Sequence, residues 1–258
     1  MSEQPAMVKR RFDGRTAIVT GAASGIGRAT AIRLASEGAA VACLDVLGDE
    51  LEQTVEALSI LGGSAFAYVC DVTDEHAVGR TVDRVADTLG RPAVLCNVAG
   101  IGGFYHTADM PFSRWERMLA VNLTGPFLMI RAAVPHMLHP HGGSIVNVAS
   151  NTGLMGAAYA AADCASKGGL VMMTKALAVE YADRGIRCNV VAPGGVAAPM
   201  SGSVELPEGA DPRHLHRLTS RMGLCTPDQV AASIAFIASD ESAYTTGAVL
   251  SVDGGLSA

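Results

Sequence analysis

The stretch Thr20-Gly21-Ala22-Ala23-Ser24-Gly25-Ile26-Gly27 follows an apolar run, Ala17–Thr20, and leads straight into a helical pattern, Ser24–Glu37. Glycines at 21, 25 and 27 permit a tight turn and close approach of the backbone to a diphosphate. The helix N-terminus behind them offers free N–H groups and the positive end of a dipole. Glycine clusters also occur in ordinary turns, so the meaning of this one comes from the strand before it and the helix after it.

Working outward, the same alternation repeats along the chain. Apolar runs at Val41–Leu44, Ala65–Val69, Ala93–Asn97, Ser144–Val148, Arg187–Val191 and Val249–Val252 read as further strands. Helical patterns occupy Glu50–Leu61, Glu75–Leu89, Thr124–Leu138, Ala160–Ala182 and Asp228–Ala238. The strands show little polar alternation, as expected of a parallel sheet covered on both faces. The predicted fold is α/β: a doubly wound (Rossmann) parallel sheet of about seven strands in one domain, residues 14–258. Residues 1–13 read as a solvated arm. The Pro- and Gly-containing stretch 199–226 has no clear strand and reads as a substrate loop.

Asp45 ends the second strand, 18 residues beyond Gly27. A carboxylate there accepts both ribose hydroxyls of NAD and repels the 2′-phosphate of NADP. No Lys or Arg adjoins it in sequence, position 24 is Ser, and Arg28 is the one objection. The expected cofactor is NAD.

Composition narrows the alternatives. The 258 residues carry 25 acidic and 19 basic side chains, a formal charge of −6, which disfavours a nucleic-acid partner. No uninterrupted apolar run suggests a membrane span, and the first eleven residues lack a signal-peptide core. The six cysteines (43, 70, 96, 164, 188, 225) are never two or three apart, and four lie in or beside apolar strands, so a reducing, cytoplasmic setting is expected. No acid or cysteine completes a metal shell around His136, His139 and His141, and no metal is expected.

Several ordered motifs now resemble the short-chain dehydrogenase/reductase family from about Gly14 to Ala258. They are the glycine turn at 21–27, Asp71-Val72, Asn97-Val98-Ala99-Gly100, Val121-Asn122, Ser144–Ser150, Ala165-Ser166-Lys167, Pro193-Gly194 and Val252-Asp253-Gly254-Gly255. The resemblance implies that Gly21, Ser24, Gly25, Ile26, Gly27 and Asp45 hold the cofactor. It gives Asp71 and Val72 the adenine, and places Asn97, Ala99, Gly100, Pro193, Gly194, Val196 and Lys167 along the rest of it. It also implies a small-molecule substrate and a homotetramer.

The family's chemistry uses Asn, Ser, Tyr and Lys, and Asn122, Ser150 and Lys167 match. Four residues before Lys167, where the resemblance expects the tyrosine, stands Asp163. Tyr159 lies one helical turn further back and would need a backbone shift to serve. A carboxyl group is ionised at pH 7, and protonating one costs about 4 kcal/mol. As a proton donor to a carbonyl it should be poorer by about three orders of magnitude, and Lys167 one turn on, by pairing with it, favours the anion further. An anion also repels a developing alkoxide. A second departure is Ala198, where the family usually has Thr.

Phe104, Leu154, Met155, Tyr159 and Met200, with Met222, are the candidate lining of an apolar substrate pocket. Three readings stay open: an NAD-dependent oxidoreductase on a hydroxyl or ketone, a non-redox enzyme using Asp163 as a carboxylate base, and an NAD-binding protein without turnover.

Overall fold

The computed structural model describes residues 10–139, 142–198, 205–211, 213–214 and 218–258. Seven strands form one parallel sheet: β1 (Thr16–Thr20), β2 (Ala40–Asp45), β3 (Ser64–Val69), β4 (Pro92–Asn97), β5 (Gly143–Val148), β6 (Ile186–Pro193) and β7 (Val249–Val252). Their order is β3-β2-β1-β4-β5-β6-β7. The chain builds outward to β3, then returns to place β4 on the other side of β1. The register Val19↔Cys43 and Val19↔Cys96 marks that switch point. A crevice opens there beyond the carboxyl ends of the strands.

The helices are α1 (Gly25–Ser36), α2 (Gly48–Ile60), α3 (Glu75–Leu89), α4 (Phe112–Leu119), α5 (Gly125–Met137), α6 (Ala161–Tyr181) and α7 (Pro227–Ala238). Two of their starts follow capping chemistry. Asp74 accepts the Ala77 amide ahead of α3, and Thr226 and Gln229 form a capping box on α7.

Two cores explain why the strands lack polar alternation. Val19, Cys43, Cys96 and Val146 face a layer with Leu34 of α1, Leu51 of α2 and Ile234 of α7. Their neighbours Ile18, Leu44, Leu95 and Ile145 face Val82 of α3 and Met129 of α5. Successive residues point to opposite faces, and along the central strands both faces are dry, whereas the edge strand β3 exposes Phe66 and Val69. Burial pushes the Cys43, Cys96 and Cys188 thiols up to about 12, so they behave as core hydrophobes.

Three expectations change. The segment preceding Gly14 is not wholly solvated: Phe12 is fully buried, and Arg11 donates to Glu37 at 2.5 and 2.7 Å. Burying that ring outweighs leaving the segment free. A further helix, α4, precedes α5, joined to it by a π-helical turn at Ala120–Thr124. The continuous stretch Phe112–Met137 is long and apolar enough to cross a membrane, but it packs as a core helix through Met129 and Met137. Finally, Arg187, read as the first residue of a strand and given no further role, donates to the carbonyls of Ile237, Ala238, Ser239 and Thr245 around the end of α7.

Candidate active site

A cavity of about 620 Å³ runs along the carboxyl ends of the strands. Gly21, Ser24, Gly25, Ile26 and Gly27 form one wall, and the first helical bond of α1 is Arg28 N–H to Ser24 carbonyl at 3.0 Å. The amides before Arg28 therefore have no partner inside the helix. The turn is closely built. A Cβ at Gly27 would lie 1.9 Å from the Gly21 carbonyl oxygen, and one at Gly21 (φ +70°) 2.9 Å from Ala99 Cα.

Asp45 lines the same cavity at the tip of β2. Its carboxylate accepts from the Ala23 amide at 3.0 Å and from the Val46 and Leu47 amides at 2.8 and 3.1 Å. The strand end and the glycine turn are thus tied together by the acid itself. Asp71, Val72, Ala99, Gly100, Pro193, Gly194 and Val196 continue the lining. Burial opposes the charge of Asp71, but the Thr73 amide and hydroxyl, with Arg117, hold its carboxyl below the usual range. Arg117 comes from α4, a helix not expected from the sequence, and so was not among the expected residues of the cavity wall. The chain contains a cradle, an acid and an apolar trough that fit a dinucleotide.

At the far end stand Ser150, Asp163 and Lys167. Asp163 is in the first turn of α6, where the helix dipole favours an anion, and Lys167 is one turn on along the same face. Asp163 Oδ2 accepts from Thr152 Oγ1 at 2.5 Å, while Lys167 Nζ donates to the Val148 carbonyl at 3.0 Å. Contrary to the expected i,i+4 pairing, no direct ion pair joins them among the described residues. Burial lowers the proton affinity of Lys167, and the field of Asp163 partly restores it. Ser150 Oγ donates to Asn151 Oδ1 at 3.1 Å and accepts the Thr152 amide at 3.2 Å.

Two expected residues lie behind the lining. Asn122, in the π-turn, accepts the Ile101 amide and donates to the Ile101 carbonyl and to Ser166 Oγ. It braces the wall. Asn97 is buried with its amide on Asn147 Oδ1 at 2.8 Å, so its side chain belongs to the sheet core.

Of the expected substrate contacts, Phe104 lines the cavity. Leu154 and Met155 do not: the 3₁₀ turn at Asn151–Gly153 carries them outward, leaving Leu154 exposed. Met222 is also exposed, and Met200 lies outside the described residues. Ala198 and Leu218 supply further apolar wall.

Tyr159 faces elsewhere. Its backbone takes φ 65°, and its hydroxyl accepts from the Asp211 amide at 3.0 Å and pairs with His214 Nδ1 at 3.2 Å. Those partners hold it on the 199–226 excursion. Among the described residues the cavity lining contains no tyrosine.

Comparison with known proteins identifies the family. The sequence model of a family described as enoyl-(acyl carrier protein) reductase matches residues 21–257. The chain is 41% identical over 247 residues to 3-oxoacyl-[acyl-carrier-protein] reductase FabG of Thermotoga maritima, covering 95% of this chain and 99% of that protein. It is 41% identical over 251 residues to cis-4-hydroxycyclohexanecarboxylate dehydrogenase of Sinomonas cyclohexanicum, covering 96% and 98%. A crystal structure described as a short-chain dehydrogenase/reductase from Burkholderia xenovorans superposes with a TM-score of 0.87 at 34% identity, covering 96% of this chain and 98% of that one. Oxidoreductases of this kind use a nicotinamide cofactor, and the chain belongs to the short-chain dehydrogenase/reductase family.

Proposed function

We propose that this chain is an NAD(H)-dependent oxidoreductase acting on a hydroxyl or ketone group of a small apolar molecule, with Asp163 in the position of the family's catalytic tyrosine. One observation carries the reading: a single cavity joins the glycine turn and Asp45 to Ser150, Asp163 and Lys167. Bound NAD supplies the hydride acceptor. The amides of Gly25, Ile26 and Gly27 receive its diphosphate, and Asp45 takes the adenosine ribose hydroxyls, which a 2′-phosphate would not allow. Asp71 and Val72 flank the adenine. Asn97, in this reading, acts through the sheet core, while Ala99, Gly100, Pro193, Gly194 and Val196 border the nicotinamide half.

Lys167 orients the nicotinamide ribose, Ser150 meets the substrate oxygen and Asn122 holds the wall against which both are set. Asp163 accepts a proton in the direction of alcohol oxidation and donates one poorly in the reverse direction. Ketone reduction is therefore slow. Phe104 and Ala198 bound an apolar substrate, while Leu154, Met155 and Tyr159 act only from outside this cavity. The reading includes a homotetramer in the cytoplasm.

The test is a titration with NADH and NADPH followed by NAD-linked oxidation of small cyclic alcohols. Tighter binding of NADPH would remove the role given to Asp45. A second reading makes Asp163 the base of a non-redox reaction. The Thr152 hydroxyl favours it, since its bond to Oδ2 fixes the position of the carboxylate in the cavity lining. In that case Asp163→Asn abolishes product formation without NAD being consumed.

A further inference from the structure

The groups at the reacting end of the cavity suit a cation better than a nascent alkoxide. Asp163 is half-buried in the lining and held by Thr152 Oγ1. Ser150 has its proton on Asn151 Oδ1. Lys167 has a proton of its ammonium on the Val148 carbonyl. No tyrosine stands in the described lining. A ketone that accepts hydride becomes an anion beside a carboxylate, and like charges in a partly desolvated cavity repel. A protonated imine starts as a cation and ends neutral, and its hydride step requires no proton donor.

Resting on the nicotinamide-binding reading above, we propose that the site reduces small apolar iminium ions, with Asp163 as their counter-ion. The iminium carbon takes a hydride, with its electron pair, from the reduced nicotinamide. The nicotinamide C–H bond breaks, a new C–H bond forms, and the π pair of C=N moves onto nitrogen. Iminium and reduced cofactor become neutral amine and oxidised cofactor, and the amine takes a proton from water on release. Asp163 keeps the bound imine protonated, the form that accepts hydride readily. Phe104, Ala198 and Leu218 enclose its carbon skeleton.

Two measurements on the full chain test this. In the first, cyclohexylammonium and cyclohexanol, nearly equal in shape, are titrated calorimetrically into the protein saturated with NADH. The ammonium is expected to bind at least tenfold more tightly, and Asp163→Asn to abolish that advantage while NADH affinity stays unchanged. Equal binding of the two, or an advantage that survives Asp163→Asn, overturns the proposal. In the second, NADH consumption is followed with 2-methyl-1-pyrroline and with cyclopentanone on the unmodified protein. Imine turnover at least tenfold faster supports it. Faster ketone turnover overturns it and leaves the alcohol–ketone reading standing, whereas NADH binding with neither substrate reduced removes both.

Discussion

The Thr152 hydroxyl donates to Asp163 Oδ2 at 2.5 Å, and the Thr152 amide donates to Ser150 Oγ at 3.2 Å. One residue of a 3₁₀ turn thus sets the position of two polar groups, Ser150 and Asp163, that line the far end of the cavity. Thr152→Val removes the hydroxyl bond and keeps the side-chain volume. It is expected to slow turnover about tenfold with NADH affinity unchanged, the loss of one charge-assisted hydrogen bond. In the Asp163→Asn background the same substitution should add almost nothing, and a double-mutant cycle on kcat measures that coupling.

Asp163→Tyr restores a phenol one turn before Lys167. NADH-linked turnover of a cyclic ketone is expected to rise by two to three orders of magnitude, about the disadvantage of a carboxyl group as proton donor at pH 7. Steady-state assays of both proteins under the same conditions check it.

Gly27→Ala places a methyl group 1.9 Å from the Gly21 carbonyl oxygen, a contact the turn must move to relieve. NAD affinity is expected to fall at least about a hundredfold while circular dichroism still shows a folded α/β protein. Fluorescence titration with NADH reads the first quantity.

Asp45→Ala removes the acid that tethers Ala23, Val46 and Leu47. The preference for NADH over NADPH is expected to narrow at least tenfold, because the charge that repels a 2′-phosphate is gone. Paired titrations with the two cofactors supply the ratio.

Glu37 answers to pH. Burial opposes its charge, yet the bonds from Arg11 and Arg33 hold its carboxyl below the usual range. A carboxyl whose folded value is lowered adds stability that is present above its unfolded value and lost as pH falls through the folded one. Glu37→Gln should cost about 2 kcal/mol near neutral pH, since the charge-assisted bonds from Arg11 and Arg33 are lost while Arg11 still pairs with Glu241. Its deficit should shrink below about pH 4, which urea melts at pH 7 and pH 3.5 can detect.

Much of this architecture was readable in one dimension. All seven strands came from apolar runs too short for helices, and the glycine turn was recognisable because a strand precedes it and a helix follows it. The α4 helix was not readable as an element. Phe112, Trp115 and Met118 have helical spacing, but the π-turn at Ala120–Thr124 adds a residue to the helical turn and breaks the register with α5. Of those three only Met118 is buried, and Phe112 is exposed. Arg117 stayed hidden for the same reason, since its place in the cavity follows from α4.

Local chemistry along the chain was enough to specify the alternating strands and helices, the turn at Gly21–Gly27, and a carboxylate one helical turn before Lys167. These depend on residues a few positions apart, whose backbone preferences and burial patterns act at short range. Folding alone decided that Tyr159 points to Asp211 and His214, that Thr152 rather than Lys167 holds Asp163, and that Asn97 and Asn122 stand behind the cavity wall. Most of those contacts join residues far apart in the chain, and even Thr152 and Asp163 sit on separate elements. Hydrogen bonds of a few ångströms form only once packing of the whole sheet has placed their partners.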